Sequence, residues 1–296
     1  MTDASITVAS VQQYKANVEL LMQQQVALVA PYVTTDSYQG KAASHVEQFG
    51  SATAQKKTSR NSDTPNLSVS QDKRWVFPVD YEWGTLVDRQ DIMRMIIDPK
   101  SPLAQAGAAA MNRAKDDELI NQFFATNFVG ENGTTSETIF GGTTYDISVD
   151  TGGTASNINV AKLQKAVQQF IFYNKGEVME PLYAAISSVE HDSLLKEVQV
   201  NNQDYGGSAV LVDGKVKRFM GFDFIITERL QIDSTNTNRM IPAWRKSGMH
   251  LGYWQDMETK ITERADKSYA WQVYHLMTIG GTRLQAGKVF RINCAK

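Results

Sequence analysis

The sequence predicts an α+β fold, and three runs of residues carry that expectation. Residues 74–84 read RWVFPVDYEWG, in which Trp75, Phe77, Val79, Tyr81 and Trp83 alternate with Arg74, Val76, Pro78, Asp80 and Glu82. Period two with aromatics marks a strand with one strongly apolar face. From Ser101 and Pro102, LAQAGAAAMNRAKDDELINQFFATNF continues as a helix for about seven turns. The closing residues return to alternation, with Tyr269, Trp271, Val273, His275, Met277 and Ile279 on one face.

Taken in order, residues 11–30 place Val11, Tyr14, Val18, Leu21, Met22, Val26 and Val29 on one helical stripe that Pro31 ends. Nothing close in sequence packs that face, so the helix is expected to dock on a distant part of the fold or on another chain. Between Lys41 and Arg74 only eight of 34 residues are Ala, Val, Leu or Phe. So polar a segment cannot supply half of a core. With the aromatic strand after it, the segment reads as a projecting β-hairpin. Pro78 cannot donate to a ladder, which puts the strand at a sheet edge or in a two-stranded ribbon.

Ser101 suits an N-cap and Pro102 the first helical position. Ala106, Gly107 and Ala110 are expected to let the long C-terminal strands approach the helix closely, while Leu119, Ile120, Phe123, Phe124 and Phe128 bury its far end. Glycine and asparagine then interrupt the chain. Asn159 caps a second helix with Val160, Leu163, Ala166, Val167, Phe170 and Ile171 on one face. Residues 182–187 read as a buried strand, and Ser187 with Glu190 has capping-box spacing for a short helix carrying Leu194, Leu195 and Val198. A hairpin turns at Asp213-Gly214, FDFIITERL is a strand, and HLGYW, METKITER and SYAWQVYHLMTIGGTRL complete the β region, with Asp266 and Lys267 in the last turn.

Composition narrows the function. The chain has 296 residues, 42% hydrophobic and 21% charged, with 30 Lys+Arg against 32 Asp+Glu. A net charge of −2 argues against a surface that grips nucleic acid throughout. The single Cys294 allows no internal disulfide. With no secretory pattern and no apolar run of membrane-spanning length, a reducing cytoplasmic origin is expected.

Catalytic templates find no support. His45, His191, His250 and His275 have no metal-ligand spacing, and His275 reads as a hydrogen-bonded core residue. Cys294 has no partnered histidine nearby in sequence. Gly40-Lys41-Ala42 lacks the upstream glycine of a phosphate loop, and Ser44 is misplaced for a magnesium ligand. Asp116, Asp117 and Glu118 point about 100° apart on a helix, so they cannot share a metal and read as a solvated surface. The alternating charges Asp256, Glu258, Lys260, Glu263, Arg264, Asp266 and Lys267 suit pairing across an interface. No catalytic, metal or cofactor site is expected.

The order of elements is more telling. An N-terminal arm, a long polar hairpin with an aromatic strand, a long helix opened by Ser-Pro, a mixed α/β block, long antiparallel strands and a GGTRLQAGKVFRI tail together resemble the major capsid proteins of tailed bacteriophages, the HK-ninety-seven-like fold shared with herpesvirus shells. The resemblance implies an N-terminal arm (1–40) and an extended loop (41–85). It also implies a peripheral domain with a spine helix (86–144 and 246–279) and an axial domain (145–245 and 280–296). It further implies self-assembly as hexamers and pentamers around double-stranded DNA, a virion location after assembly in the host cytoplasm, and no membrane. The expected partners are a separate scaffolding protein, a portal and a decoration protein. No long charged helical segment precedes the arm, so a fused scaffold is not expected. Lys41, Lys56, Lys57 and Lys73 fall in the loop where some relatives cross-link, but no partner asparagine or catalytic glutamate is identifiable. Trp75, Phe77, Val79, Tyr81 and Trp83 are expected to form an intersubunit face, because the polar hairpin cannot bury them. Alternatives are an encapsulin-type compartment shell, or an α/β enzyme or binding module with a mobile arm.

Overall fold

Gln23, Gln24 and Gln25 do not continue a helix in the computed structural model of the chain: residues 23–29 run irregularly to one 3-10 turn at Ala30–Tyr32. The expected helix over 11–30 is thus missing from its second part, and 11–22 lies outside the described residues. The physical reason is Asp116, whose carboxylate accepts the backbone N–H groups of Leu28 (2.8 Å) and Val29 (3.0 Å). A helix would have turned those donors to its own carbonyls. The structure describes residues 23–41, 43–50, 52–60, 66–69, 71–88, 100–140, 144–147, 156–173, 180–197, 211–212, 215–234 and 237–295.

Strand β1 (Thr34–Ser37) is followed by β2 (Ala43–Phe49) and β3 (Gln71–Val76), which pair antiparallel from Ala43 opposite Val76 to Phe49 opposite Gln71. The polar segment therefore does form a hairpin, and residues 52–60 beyond β2 are exposed. The aromatic run, expected as one strand, is two. Pro78 has no N–H for a ladder, so β3 ends before it and β4 (Val79–Val87) joins a different sheet.

The long helix α1 (Lys100–Phe124) starts one residue before Ser101, which is therefore inside the helix and not its N-cap. Pro102 still falls in the first turn, where an N–H has no intrahelical carbonyl to meet. Phe128, expected to bury the helix end, lies beyond it on β5 (Asn127–Val129) and is 41% exposed. β5 turns through Gly130 and Gly133, both at positive φ, into β6 (Thr135–Glu137). These two strands extend the first hairpin into a sheet of order β2-β3-β5-β6.

After β7 (Asp146–Ile147) comes α2 (Val160–Tyr173), whose cap is Asn159 Oδ1 accepting from Lys162 N at 2.8 Å. Buried β8 (Leu182–Ile186) leads into α3 (Ser188–Lys196), closed by the expected capping box of Ser187 and Glu190. β9 (Leu211–Val212) and β10 (Lys215–Val216) pair antiparallel across Asp213 and Gly214, which lie outside the described residues, as does Val198. β11 (Arg218–Phe219), β12 (Phe222–Ile226), β13 (Asn238–Arg245), β14 (Met249–Arg264), β15 (Ala270–Arg283) and β16 (Val289–Ala295) complete the chain. HLGYW and METKITER belong to the single strand β14, whose register against β15 shifts between Tyr253 and Glu258.

Two larger sheets result. One has order β11-β12-β8-β13-β16-β7, with α2 packed on it through Phe170 and Phe290, 4.4 Å apart. The other has order β1-β14-β15-β4, with β1 parallel to β14 and α1 lying across β15 and β4. Among the described residues the core is one large connected cluster with a small second one around Val160 and Val216. Leu119, Ile120 and Phe123 of α1 meet Trp244 of the first sheet and Met277 and Ile279 of the second within the large one, Phe123 lying 4.7 Å from Trp244.

Candidate assembly surface

One turn of α1 contradicts its sequence reading. Asp116 is wholly buried and Glu118 is 5% exposed, so the three carboxylates are not a solvated surface. Their 100° separation, which rules out a shared metal, lets each hold a different part of the chain. Asp116 takes Leu28, Val29 and the Gln24 amide. Asp117 takes both forks of the Arg229 guanidinium just after β12. Glu118 accepts from the Tyr81 hydroxyl at 2.7 Å and from Gln122 at 2.9 Å.

The five aromatic-run residues divide by sheet. Trp75 donates from Nε1 to the Gly130 carbonyl at 2.8 Å, and its ring covers Gly133, where a Cβ would stand 2.7 Å from the indole. Tyr81 is tied to Glu118, and burial, then that hydrogen bond, pushes its pKa well above the usual phenol value. Trp83 lies 5.5 Å from the His275 ring, beneath α1. These three are engaged inside their own chain. Phe77 and Val79, at 41% and 39% exposure, are open, and Phe77 makes an edge-on pair with Phe128 at 5.1 Å. The structure thus gathers Phe77, Val79 and Phe128 at the point where the chain passes from the hairpin sheet to the long sheet.

The small residues of α1 also separate. Gly107 is buried against His275 and Trp83, while Ala106 and Ala110 are half-buried. Ala109, which the sequence reading did not choose, is the buried alanine of this stretch.

The face of the long sheet away from α1 is polar and cross-paired. Tyr274 donates to Glu82 at 2.9 Å, Thr278 to Asp80 at 2.7 Å, and Arg264 to Gln272 at 2.9 Å. The charge series expected to pair across an interface is largely matched within the chain: Lys115 with Asp256, Lys260 with Glu258, Arg264 with Asp266. The partners lie on α1, on the same strand or across its turn, so these pairs need no neighbour to neutralise them.

His191 and His250 hold structure together. Thr34 donates its hydroxyl proton to the Met249 carbonyl (2.8 Å), so it can only accept from His250 Nδ1 at 3.0 Å. That tautomer leaves Nε2 to accept from the Tyr38 hydroxyl at 2.8 Å. His191 accepts from Val216 N at 3.1 Å. Cys294 is buried, which pushes its thiol up to about 12 and leaves it unreactive. Among the described residues no group of three or more His, Cys, Asp or Glu could hold a metal, and no helix is long and apolar enough to cross a membrane.

A phage capsid protein family model matches residues 6–296. The chain belongs to the phage capsid protein family. Its fold is the HK-ninety-seven-like one of tailed-phage shells, and solved structures agree over nearly the whole subunit. The capsid of the cyanophage P-SCSP1u matches with a TM-score of 0.74 at 14% identity, covering 98% of this chain and 94% of that one. The mature capsid of bacteriophage PhiM1 gives 0.70 at 12% (96% and 91%), and that of cyanophage Pam1 0.68 at 14% (100% and 99%). No curated protein matches. The chain is a structural component of a phage virion shell.

For a capsid subunit the decisive feature missed in the sequence is the clamp at the base of the hairpin. Arg74, 7% exposed, pairs with Glu137 of β6, and Asp72 accepts from Gly130 N at 3.1 Å. The glycine-rich stretch at 130–133 carried the signal, since both glycines take up positive φ beneath Trp75.

Proposed function

We propose that the chain is a major capsid protein that self-assembles as hexamers and pentamers into an icosahedral head around double-stranded DNA. The observation that carries the reading is a full-length match to shell proteins on a subunit that leaves Phe77, Val79 and Phe128 exposed beside its hairpin. In this reading 1–40 is the arm, 41–85 the extended loop, 86–144 with 246–279 the peripheral domain and 145–245 with 280–296 the axial domain. The 75–83 segment contacts a neighbour through Phe77 and Val79. Each half-exposed apolar side chain covered contributes of order 1 kcal/mol, and repetition around a closed shell multiplies it. Near-neutral net charge suits a wall that confines DNA without binding its phosphates. A separate scaffolding protein, a portal and a decoration protein are the proposed partners.

Negative-stain microscopy of the expressed chain, alone and co-expressed with a phage scaffolding protein, tests this. Closed shells of phage-head size are expected. Small uniform shells loaded with a cargo enzyme, or dispersed subunits under both conditions, would overturn it.

A further inference from the structure

At the base of the hairpin four buried side-chain atoms lie without a hydrogen-bond partner among the described residues: Arg74 Nε, Asn127 Oδ1, and Nε and Nη2 of Arg283. Native folds leave few such atoms, so a group of them needs a reason. Arg283 is the most demanding. It is 1% exposed, its Nη1 donates to the Gln122 (3.2 Å) and Phe123 (2.8 Å) carbonyls at the end of α1, and no described carboxylate pairs with it. The Phe140 ring faces its guanidinium at 5.3 Å. Nε and one Nη are the donors that grip a carboxylate side-on. Arg229 holds Asp117, Arg264 holds Asp266 and Arg291 holds Asp146 with that same Nε and Nη2 fork. In Arg283 the fork is buried and has no carboxylate.

One carboxylate stands within range. Glu137 lies opposite Asn127 across β5 and β6, and Arg74 lies opposite Val129 across β3 and β5. Side chains alternate along a strand, so Arg74, Asn127 and Glu137 share one face of the hairpin sheet. Asn127 brings that face to Arg283, its Nδ2 donating to the Arg283 carbonyl at 2.9 Å. Burial lowers the Arg283 pKa to about 10; the field of Glu137 opposes this, and that of Arg74 adds to it. Glu137 pairs with Arg74 through Oε2, while its Oε1 has no partner among the described residues. Arg74 does not depend on Glu137 alone, because Asp72 Oδ2 lies 3.7 Å from its Nη2.

We propose that Glu137 is a two-position latch, leaving Arg74 on β3 for the fork of Arg283 on β15. Its hold then passes from within the hairpin sheet to the joint between that sheet and the rest of the subunit. The exchange is balanced. Arg74 keeps Asp72, and Arg283 gains two charge-assisted bonds that offset burying a carboxylate side chain now 34% exposed. What tips the balance lies on the opposite face of the same strands. Phe128, next to Asn127, points away from Arg283 and meets Phe77 at 5.1 Å, each ring 41% exposed. A neighbouring subunit seated on those two rings presses the sheet toward β15 and favours the Arg283 position. That last step rests on the shell-forming reading above; the latch itself does not.

Hydrogen exchange of unassembled subunits tests the latch. Arg74→Gln leaves Glu137 only Arg283, so amides in 126–137 and 279–284 should exchange about three- to tenfold more slowly than in the parent. Glu137→Gln removes the shared carboxylate and should speed exchange in both stretches. Were the pair with Arg74 a simple clamp, the two variants would loosen the hairpin base alike, and that result would overturn the inference. Parent rates at 279–284 in Arg74→Gln would overturn it too. Shells give a second comparison, which decides alone if Arg74→Gln does not fold. Assembly of the parent should slow exchange at 279–284, whereas Arg283→Lys, which keeps the charge without the fork, should assemble without that slowing. Equal slowing in both would sink the latch. Failure of the parent chain to form shells would strike the functional reading, and the free-subunit comparison would still decide this one.

Discussion

Gly107 lies flat against His275, so closely that a Cβ on the glycine would stand 2.5 Å from the imidazole Nε2 and 2.6 Å from Cε3 of Trp83. Both neighbours are rings held in place, His275 by Thr259 at 2.9 Å and by complete burial. Gly107→Leu should therefore destabilise the unassembled subunit by roughly 1–3 kcal/mol through overpacking, despite the better helix propensity of leucine. Urea denaturation measures the difference, and an unchanged midpoint would mean that α1 can lift off β15 without loss.

The same histidine makes stability depend on pH. Burial lowers its pKa below the ordinary 6.5, an effect that the Ala104 backbone on α1 offsets only in part, while the Trp83 and Gly107 that press on the ring carry no charge. The unfolded chain therefore takes up a proton near pH 6.5 that the native state refuses until lower pH. Stability from this group is complete above about pH 6.5 and declines as the pH falls from there toward the folded value, by at most about 1.4 kcal/mol per pH unit. Comparing urea midpoints at pH 7.5 and 5.5 should show a larger drop for the parent than for His275→Gln. Equal drops would assign the effect to other groups.

Phe77→Asp should leave the subunit folded, with parent-like circular dichroism, and abolish shells. Phe77 is 41% exposed, and its ring contact among the described residues is the edge-on one with Phe128. Trp75→Asp should behave differently: it removes the ring seated on Gly133 and the bond to Gly130, so it should lower the melting temperature of the free subunit. Identical thermal behaviour for the two variants would show that the aromatic run does not divide at Pro78.

Local signals in the sequence mostly matched the structure where a residue's partner lies nearby in the chain, Ser101 being an exception because the helix starts one residue earlier. The capping box at Ser187 and Glu190, the Asn159 cap and the polar hairpin depend on neighbours within a few residues or on strand composition. Several misreadings share one cause, a partner far along the chain. Val29 leaves the helical stripe because Asp116, nearly ninety residues away, accepts the N–H groups of Leu28 and Val29. Phe128 lies beyond the helix, on β5, where it pairs with Phe77. The break at Pro78 was visible in the residue but not in its consequence, since only topology shows that the two halves enter different sheets.

Asp116→Ala would remove the acceptor of two backbone N–H groups and the Gln24 amide at once. Bonds to a charged acceptor contribute about 1.5–3 kcal/mol each, so the loss should reach several kcal/mol in the free subunit. Limited proteolysis should then cut first between residues 23 and 33. Cleavage elsewhere, with this segment intact, would show that it is held by something other than the carboxylate.

The run Asp116-Asp117-Glu118 also has a mechanical consequence. Because the three side chains leave α1 in three directions, the helix works as an axle with three spokes: one to the N-terminal segment, one to Arg229 beside the six-stranded sheet, one to Tyr81 on β4. Rolling the helix either way slackens one spoke and strains another, so torque entering at the strand that follows the hairpin is passed to the far sheet. A container wall pressed from within by packed DNA would thus bear load by gearing its parts together, not by stiffening each separately.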